Sequence, residues 1–339
     1  MPESPRVAVV GATGAVGRVM LDILYERGFP ASEIVPIASA RSAGRRVPFG
    51  EESLEVVPIS AEAFEGIDLV LLDTPDDVAA EWGPVAVSAG AVVVDNSAAW
   101  RMDADVPLVV PEANPHAVEG HKGIIASPNC STIGVVVPLA PLHRRFGLER
   151  MIVSTYQSTS GAGRAGVEEL DAQTQKLVGE VDRLASAGAN SLAPDPQVFA
   201  APIAFNVIPL IGSVRPGGST GEELKMQLES QKILGHQNLE VFTTCVRVPT
   251  VVGHGAAVHA RFEQEVEVES VRNMLAEAPG VELAEVPNPL TAAGTDACYV
   301  GRLKADSFDR RSLGFFTVSD NLRKGAALNA VQIAELLLP

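Results

Sequence analysis

A glycine-rich loop near the N-terminus, between a predicted strand and a predicted helix, constrains the fold of this chain more than any other feature. Arg6–Val10 is rich in β-branched residues and predicts a buried strand, and Val16–Arg27 predicts the helix. Between them Gly11, Gly14 and Gly17 follow the spacing G-x-x-G-x-x-G, a shifted form of a dinucleotide-binding motif. Glycines there allow a tight turn and let backbone N–H groups approach a pyrophosphate. The segment therefore predicts a nucleotide site at the start of an α/β sheet.

Strands and helices alternate through the first third of the chain. The further strands predicted from short apolar runs are Ile34–Ala38, Ile67–Leu72, Ala91–Val94 and Gly123–Ala126. A helix predicted at Val78–Ala89 separates the second of these from the third. Such alternation is typical of a doubly wound parallel sheet. We therefore expect residues 1–129 to form a Rossmann-type nucleotide-binding domain, completed by a helix over residues 320–339.

The pattern changes after Leu148, where strands outnumber crossover helices. The predicted strands are Met151–Tyr156, Phe205–Pro209, Glu240–Val248, Ala256–Glu265, Ala297–Leu303 and Leu313–Val318. The predicted helices are Val167–Val178, Glu222–Leu234 and Glu269–Ala278. Strand-rich segments of this kind indicate a mixed or antiparallel sheet with helices on one face. Residues 130–319 are therefore expected to form a second, α+β domain, in which Gly179–Gln197 is a long surface excursion.

Length, charge and cysteine content exclude several classes of protein. A chain of 339 residues is too long for one ordinary core, and 46% hydrophobic with 20% charged residues is typical of a globular protein. The net charge of −16 argues against nucleic acid and anionic membranes as partners. Three cysteines give no disulfide framework, and Met1–Arg6 lacks the pattern of a signal peptide. No apolar run approaches the roughly 18 residues of a membrane span. We expect a soluble, acidic, cytoplasmic protein.

The residues after the second predicted strand favour NADP over NAD. An NAD site usually has an acidic residue near the end of that strand, hydrogen-bonded to the ribose 2′-hydroxyl. Here the chain instead has Ser39, Arg41, Ser42, Arg45 and Arg46. Hydroxyl and guanidinium groups suit a 2′-phosphate. The alternative is a solvated basic loop.

A cysteine lies at a predicted strand-to-helix junction. Cys130 precedes a helix predicted over Ile133–Leu142, and the residues between them, Ser131 and Thr132, are of types that suit a helix N-terminus. Unpaired N–H groups and the helix dipole there stabilise a thiolate and an adjacent oxyanion. For a lone cysteine the alternative is a small buried hydrophobe. In the loop after Ala91–Val94, Asn96 and Arg101 offer an amide and a guanidinium for an anion, or form an ordinary polar turn.

Nucleophilic cysteine chemistry needs a base, and a histidine in a glycine-flexed turn is one candidate for it. His254 follows Gly253 and precedes Gly255. The competing histidines are His116, His121, His143, His236 and His259. A thiol beside a nicotinamide indicates aldehyde oxidation or its reverse, in which the thiolate adds to the carbonyl, hydride transfer follows and a thioester remains. The sequence has no metal-ligand cluster, because the spacing of His254 and His259 is not that of a zinc site.

From end to end the chain closely resembles the aspartate-β-semialdehyde dehydrogenase family. The matching segments, in chain order, are Gly11–Gly17, Ser39–Ser42, Asp95–Ser97, Pro128–Cys130, Gln157 with Ser160–Gly163, Glu222 with Lys225, Cys245–Pro249, Gly253–His254 and Asn321–Ala327. So many segments in one order are far more specific than any single motif. The resemblance implies reversible, NADP-dependent reductive dephosphorylation of β-aspartyl phosphate to aspartate semialdehyde and phosphate, a step of lysine, threonine and methionine biosynthesis. It also implies a homodimer or homotetramer that pairs through the second domain.

The resemblance implies a role for each matched residue. Cys130 would be the nucleophile, His254 the acid/base, and Gln157 would orient the acyl intermediate. Arg247 would hold the substrate α-carboxylate, for which a guanidinium fork is suited, and Glu222 would bind the α-amino group. Phosphate would be bound by Arg101, Lys225 and Asn96. The cofactor would be bound by Gly11, Thr13, Gly14, Ala15, Val16, Ser39, Arg41, Ser42, Ser160, Gly161 and Asn321, the last of these near the nicotinamide.

Two positions depart from the family's pattern. Where the family usually has a small Ser-Ala-Gly turn near the cofactor, this chain has the acidic turn Asp73–Asp77. Carboxylates there would repel a pyrophosphate unless they point outward. Gly134 stands where the family often has a larger polar residue, which changes packing. Two other functions stay open: another acyl-phosphate or acyl-thioester reductase on the same scaffold, and a non-catalytic paralogue with a binding role.

Overall fold

The computed structural model describes residues 1–186 and 192–339. The first part of the chain forms a parallel sheet with its connecting helices and a separate hairpin. Its elements are β1 (Arg6–Val10), α1 (Ala15–Glu26), β2 (Glu33–Ala38), β3 (Arg46–Phe49), β4 (Glu52–Glu55), β5 (Val57–Pro58), β6 (Leu69–Leu72), α2 (Asp76–Ser88), β7 (Val92–Asp95) and β8 (Ile124–Ala126). The sheet has the order β5-β2-β1-β6-β7-β8, and every neighbouring pair in it is parallel. Strands β3 and β4 form a separate antiparallel hairpin.

The rest of the chain builds a second sheet. Its elements are α3 (Cys130–Phe146), β9 (Leu148–Gln157), α4 (Gly163–Leu177), α5 (Val181–Leu184), α6 (Gly221–Ile233), β10 (Glu240–Arg247), β11 (His254–Phe262), α7 (Val268–Ala276), β12 (Val281–Leu283), α8 (Pro289–Ala292), β13 (Cys298–Ala305), β14 (Ser312–Ser319), a π-helix (Arg323–Ala327) and α9 (Leu328–Glu335). The order is β10-β9-β11-β14-β13-β12. The two outer pairs are parallel and the inner pairs antiparallel, so the sheet is mixed.

Helices cover the two sheets differently. One face of the parallel sheet packs against α1 and α9, through residues such as Met20 and Val331, and the other packs against α2 through Ala79 and Ala86. Helices α3, α6 and α7 share one core with the mixed sheet. The predicted fold class, a Rossmann-type doubly wound parallel sheet plus a second domain with a mixed sheet, is therefore confirmed. Because α9 packs beside α1, the chain ends against the sheet with which it began.

Three predictions about local structure were wrong or incomplete. Phe205–Pro209 is not a strand: Ile208 forms only an isolated bridge to Arg247, and Phe205 has a φ of 56°, which interrupts an extended run. The C-terminal segment is not one helix but a turn, a π-helix and then α9. The predicted surface excursion contains the short helix α5, and its residues 187–191 lie outside the described residues.

None of the helices in the described part of the chain combines the length and the apolar character that crossing a membrane requires.

Candidate active site

The candidate residues of the first sheet meet at one edge of it. Val10 is paired with both Ile37 and Leu72, and Leu72 is paired with Asp95. Asp95 in turn is paired with Ala126. The loops that follow these strands therefore leave the sheet side by side at the carboxyl ends, where open parallel sheets bind their ligands.

The glycine loop after β1 is shaped for an anion. Gly11 has a φ of +89°, and a Cβ on it would lie 2.0 Å from the Asp73 carbonyl oxygen, so only glycine fits. A Cβ on Gly17 would lie 2.2 Å from the Gly11 carbonyl oxygen. Helix α1 then begins after Gly14, without a side-chain cap and without an acidic residue in its first turn. Its N–H groups are thus available to a phosphate, as a dinucleotide site requires.

The other predicted cofactor residues have different settings. Ser39 and Arg41 are exposed just beyond β2, and Ser42 is buried with its N–H donating to the Ser39 carbonyl oxygen at 2.8 Å. Thr13 and Ala15 are exposed at the glycine loop, and Val16 is half-buried. A 2′-phosphate bound here would meet hydroxyls and an unburied guanidinium.

Cys130 is the first residue of α3, immediately after the loop that leaves β8. The Asn129 side chain caps the helix by accepting hydrogen bonds from the Ser131 N–H at 3.0 Å and the Ser131 hydroxyl at 2.6 Å. The π-helix lies against the cysteine, since a Cβ on Gly325 would be 2.9 Å from the Cys130 Cβ. The predicted strand-to-helix junction is therefore present, and Gly325 leaves space for the cysteine.

The thiol of Cys130 is not ionised by its position at the helix N-terminus. Burial, and then the Glu222 carboxylate, raise its pKa to about 12, and both Arg101 and Arg247 act in the opposite direction. The Cys130 residue as a whole is only partly buried, whereas Cys245 and Cys298 are fully buried. The expectation of a stabilised thiolate is therefore not met by the helix alone, because burial outweighs the N–H groups.

His254 lies in the same region, with one ring nitrogen held and one free. The Ser158 backbone N–H donates to Nδ1 at 3.1 Å, so Nδ1 must carry a lone pair. The neutral ring then has its proton on Nε2, a buried atom that has no hydrogen-bond partner among the described residues. Burial, and then the charge of Arg247, lower the pKa of His254 to about 3. The ring is therefore neutral near pH 7 and offers an N–H to the site.

The competing histidines lie elsewhere. His143 and His236 stack on each other at 5.7 Å, and His259 contacts Asp306 at 2.8 Å. His116 is exposed and His121 half-buried, both near the short turn before β8. Of the six histidines, His254 is the one brought beside Arg247.

Ser158 is a residue that the sequence analysis missed. Its carbonyl oxygen accepts a hydrogen bond from Arg247 Nη1 at 2.7 Å, while its N–H holds His254. Its hydroxyl donates to Asn321 Oδ1 at 3.0 Å, and that same oxygen accepts from the Gly253 N–H at 2.9 Å. The Asn321 amide nitrogen donates to the Ser160 hydroxyl at 3.0 Å, so Asn321 ties Gly253 to the residues just after β9. His254 itself is not in the predicted turn but is the first residue of β11.

Arg247 and Gly161 adjoin the histidine. Arg247 is 6% exposed and lies over the Phe199 ring at 5.7 Å, on the wall of a cavity of about 450 Å³. A Cβ on Gly161 would lie 2.9 Å from Arg247 Nη1 and 3.0 Å from His254 Nε2. The space above these two groups exists because residue 161 is glycine. A larger cavity, of about 780 Å³, is lined by Glu112, Arg144 and His116 among others, and by none of the predicted catalytic, substrate-binding or cofactor-binding residues.

Arg101 is held by a carboxylate that was not predicted. Its guanidinium donates to the Ser127 carbonyl oxygen at 3.0 Å, to the Asn96 carbonyl oxygen at 2.7 Å and to Glu229 at 3.0 Å. Glu229 is 1% exposed and also accepts from the Asn129 N–H at 2.7 Å. Three of the five guanidinium N–H groups are therefore used within the described chain. Only the remaining ones can contact a phosphate.

Glu222 occupies the centre of the predicted substrate group. It accepts from Gln157 Nε2 and from Asn129 Nδ2, each at 3.3 Å. Lys225 Nζ is 3.7 Å from it, with a side chain 40% exposed. The structure thus brings together Cys130, Gln157 and Glu222 with two guanidinium groups.

The acidic turn after β6 points in more than one direction. Asp77 is exposed, and Asp76 Oδ1 accepts from the Ala98 N–H at 2.8 Å, away from the glycine loop. Asp73 stays near the loop, with Asn96 Nδ2 3.4 Å from its carboxylate. Burial raises the pKa of Asp73 to about 6, and Asp95 acts in the same direction, against the Asn96 hydrogen bond. Asp73, whose backbone adjoins Gly11, is therefore the one of the three that we expect to oppose a bound anion.

Replacing Asp73 with asparagine is expected to tighten NADPH binding at pH 7.5 by about three- to tenfold, because it removes a charge beside the pyrophosphate loop. The gain should shrink at pH 5.5, where the wild-type carboxyl, with a pKa of about 6, is largely protonated. Titration of NADPH fluorescence measures both values, and NADH serves as the control because it lacks the titrating 2′-phosphate. Weaker binding by Asp73→Asn would instead mean that Asp73 accepts a hydrogen bond from the cofactor.

The parallel sheet carries a glycine loop of the dinucleotide-binding type, and a partly buried cysteine lies at its carboxyl edge with guanidinium, carboxylate and imidazole groups nearby. This combination is typical of nicotinamide-dependent dehydrogenases. Comparison with known proteins agrees. Residues 6–121 match the model of the semialdehyde dehydrogenase NAD binding domain, and residues 139–324 match the semialdehyde dehydrogenase dimerisation domain.

Relatives and solved structures narrow the class. The chain is 48% identical over 335 residues to the aspartate-semialdehyde dehydrogenase of Streptomyces akiyoshiensis, covering 98% of each chain. It superposes with a TM-score of 0.93, at 41% identity and 99% coverage of both chains, on aspartate semialdehyde dehydrogenase II of Vibrio cholerae complexed with ASA. A Candida albicans enzyme solved with NADP matches at a TM-score of 0.73 and 26% identity, with 98% of each chain covered. The chain belongs to the aspartate-semialdehyde dehydrogenase family.

Proposed function

We propose that this protein is a phosphorylating, NADP-dependent aspartate-semialdehyde dehydrogenase that works through a cysteine thioester. The observation that carries the proposal is the charge pattern around the partly buried Cys130, where two buried guanidinium groups, Arg101 and Arg247, lie with the buried carboxylate of Glu222, while a second buried carboxylate, Glu229, is paired with Arg101. Aspartate semialdehyde has a carboxylate, an ammonium group and an aldehyde, and its partner phosphate is a second anion. A site with Arg247 for one anion, Arg101 for the other and Glu222 for the cation matches those charges.

The residues divide the chemistry between them. The Cys130 thiol gives up its proton to solvent as the sulfur adds to the aldehyde carbon, and the hydrogen of that carbon leaves as hydride when the thioester forms. A phosphate oxygen then displaces the sulfur, which takes up a proton again, and the product is the acyl phosphate. The nicotinamide, when bound, supplies hydride acceptance. Neutral His254 donates its Nε2 proton in a hydrogen bond to the oxyanion or to the leaving sulfur. Gln157 and Glu222 hold the acyl chain, and Lys225 and Asn96 join Arg101 at the phosphate.

The choice of NADP rests on the loop beyond β2. Ser39, Arg41 and Ser42 supply hydroxyl groups and a guanidinium at the place where an NAD site has a carboxylate. The loop after β1, from Gly11 to Val16, would hold the pyrophosphate on its N–H groups. Ser160, Gly161 and Asn321 would then lie towards the nicotinamide, where the chain from the second sheet meets the first.

The proposal includes the organisation of the whole protein. Residues 1–129 with 320–339 would form the cofactor domain, and residues 130–319 the catalytic and dimerisation domain. Ile152, Tyr156 and Phe242 are exposed on the outer face of β9 and β10, at 38%, 40% and 66%, and this apolar face suits a homodimer or a homotetramer. The three cysteines are unpaired, which fits a reducing cytoplasm, where the enzyme would serve lysine, threonine and methionine biosynthesis.

The deciding experiment is reduction of NADP⁺ by aspartate semialdehyde, with and without phosphate, followed by nicotinamide absorbance. Phosphate-dependent turnover that prefers NADP⁺ to NAD⁺ is expected. Turnover with NADP⁺ that does not need phosphate would contradict the phosphorylating reaction, and turnover only with other acyl substrates would favour a related reductase. Folded protein that turns over none of them would favour a non-catalytic binding role.

A further inference from the structure

Two carboxylates on one face of α6 are neutralised to different degrees. Glu229 is 1% exposed and accepts from the Arg101 guanidinium at 3.0 Å and the Asn129 N–H at 2.7 Å. Glu222, two helical turns earlier, is 9% exposed but accepts from only two amide N–H groups of the described residues, each at 3.3 Å. The Arg247 guanidinium acts on Glu222 through its charge. Its nearest ammonium group within the described residues, Lys225, is 3.7 Å away on a side chain that is 40% exposed. A buried carboxylate with so little compensation favours the arrival of a cation.

The incompletely neutralised carboxylate is one side chain away from the thiol. Glu222 Oε2 accepts from Asn129 Nδ2, and Asn129 Oδ1 is 3.9 Å from Cys130 Sγ. An anion so close, in a buried setting, disfavours a second anion on sulfur. The negative charge of Glu222 accordingly raises the pKa of the Cys130 thiol, after burial, which is the larger cause. The other charged or titratable groups around the thiol are Arg101, Arg247, Lys225, Glu229 and His254.

We propose that Glu222 couples recognition of the substrate's ammonium group to ionisation of Cys130. The carboxylate adds to the burial that keeps the thiol protonated, and an ammonium group bound to Glu222 cancels the contribution of the carboxylate and so raises the thiolate fraction. This coupling rests on the proposed function and adds a second level of selectivity to it. An aldehyde without the amino group would enter the site and still meet a protonated, poorly nucleophilic sulfur.

The first test measures alkylation of Cys130 by iodoacetamide against pH. The sulfur displaces iodide as the S–C bond forms and the thiol proton passes to the buffer, so the rate reports the thiolate fraction. Because Cys245 and Cys298 are fully buried, the reaction reports Cys130. Glu222→Gln is expected to raise the rate at pH 7 about tenfold, with the profile moved to lower pH, because a carboxylate charge is removed.

Two variants control for charge and for folding. Glu222→Asp keeps the charge and should alkylate within about twofold of wild type. Glu223→Gln removes the neighbouring carboxylate, which caps α6 and accepts from the Cys245 N–H at 3.1 Å, and should also stay within about twofold. An unchanged profile in folded Glu222→Gln, or equal acceleration in Glu223→Gln, would overturn the proposal.

A matched pair of inert ligands tests the role of the ammonium group directly. Asparagine carries the α-carboxylate and the ammonium group, whereas succinamate lacks only the latter. At saturation, asparagine is expected to move the pH profile of the ultraviolet thiolate absorbance to lower pH in wild type but not in Glu222→Gln, with Cys130→Ser as the blank. An equal response to succinamate would overturn the coupling. Neither assay uses turnover, so a failed dehydrogenase assay with a shifted profile would reject the proposed reaction and leave the coupling standing.

Discussion

Cys130→Ala is expected to lower phosphate-dependent turnover by at least about 10⁴-fold, because it removes the sulfur that forms and breaks the covalent bond in the proposed thioester route. NADPH affinity should change by less than about twofold, since the glycine loop and the N-terminus of α1 belong to a different part of the sheet edge. Stopped-flow or steady-state absorbance measures the turnover, and fluorescence titration measures the affinity.

A second cysteine variant shows whether the loss is specific. Cys298 is fully buried in the core of the mixed sheet, away from the charged groups of the site. Cys298→Ala should lose some stability, through a small cavity, and keep turnover within about threefold. Measurable turnover by Cys130→Ala above the level of buffer would reject the thioester route. Loss of both turnover and cofactor binding would mean that the variant had not kept its fold.

Gly161→Ala is expected to lower kcat/KM by about 10²-fold or more, through one added methyl group. Its Cβ would lie 2.9 Å from Arg247 Nη1 and 3.0 Å from His254 Nε2, so both groups must move from the substrate space. The backbone of Gly161 is not in the left-handed region, and Arg247 borders a cavity of about 450 Å³ into which it can retreat. The free energy of unfolding should therefore change by less than about 1 kcal/mol.

The matched control lies two residues further on. Gly163 has a φ of +73°, and a Cβ on it would meet nothing within 4 Å. With a ψ of −168° this backbone conformation is one that only glycine adopts readily, so Gly163→Ala should destabilise the protein by about 1–3 kcal/mol through backbone strain and keep its kcat/KM. Steady-state kinetics should show the loss of kcat/KM in Gly161→Ala only, and urea unfolding should show the larger loss of stability in Gly163→Ala. Full activity in Gly161→Ala would mean that neither Arg247 nor His254 needs its observed position.

The features of the fold that could be predicted from the sequence are those that depend on patterns of a few consecutive residues. The apolar runs of β1, β2, β6 and β7 and the glycine spacing after β1 are each contained within a few residues, so the parallel sheet and its nucleotide loop could be predicted. The position of Cys130 at a strand-to-helix junction was predictable for the same reason. Register then places loops that are far apart in sequence at one edge.

Features that depend on tertiary contacts were not predictable from local pattern. In the sequence Glu229 is one of several carboxylates on a predicted helix, and nothing local distinguishes it. Its hydrogen bonds to Arg101 and Asn129 form only when folding brings these residues together. Ser158 could not be predicted because it acts through its backbone N–H and carbonyl oxygen, which are not specific to any side-chain type.

The contact between the π-helix and Cys130 has a consequence for how the enzyme is made. Gly325 abuts the cysteine, and the residues after it pack against the sheet that is synthesised first. The neighbouring Lys324, 0% exposed, is tied to Glu112 at 2.7 Å and to Gln332 at 2.7 Å. During translation the surroundings of the proposed nucleophile are therefore incomplete until the π-helix, Arg323–Ala327, has been synthesised. A nascent or prematurely terminated chain carries the thiol without the setting that controls it.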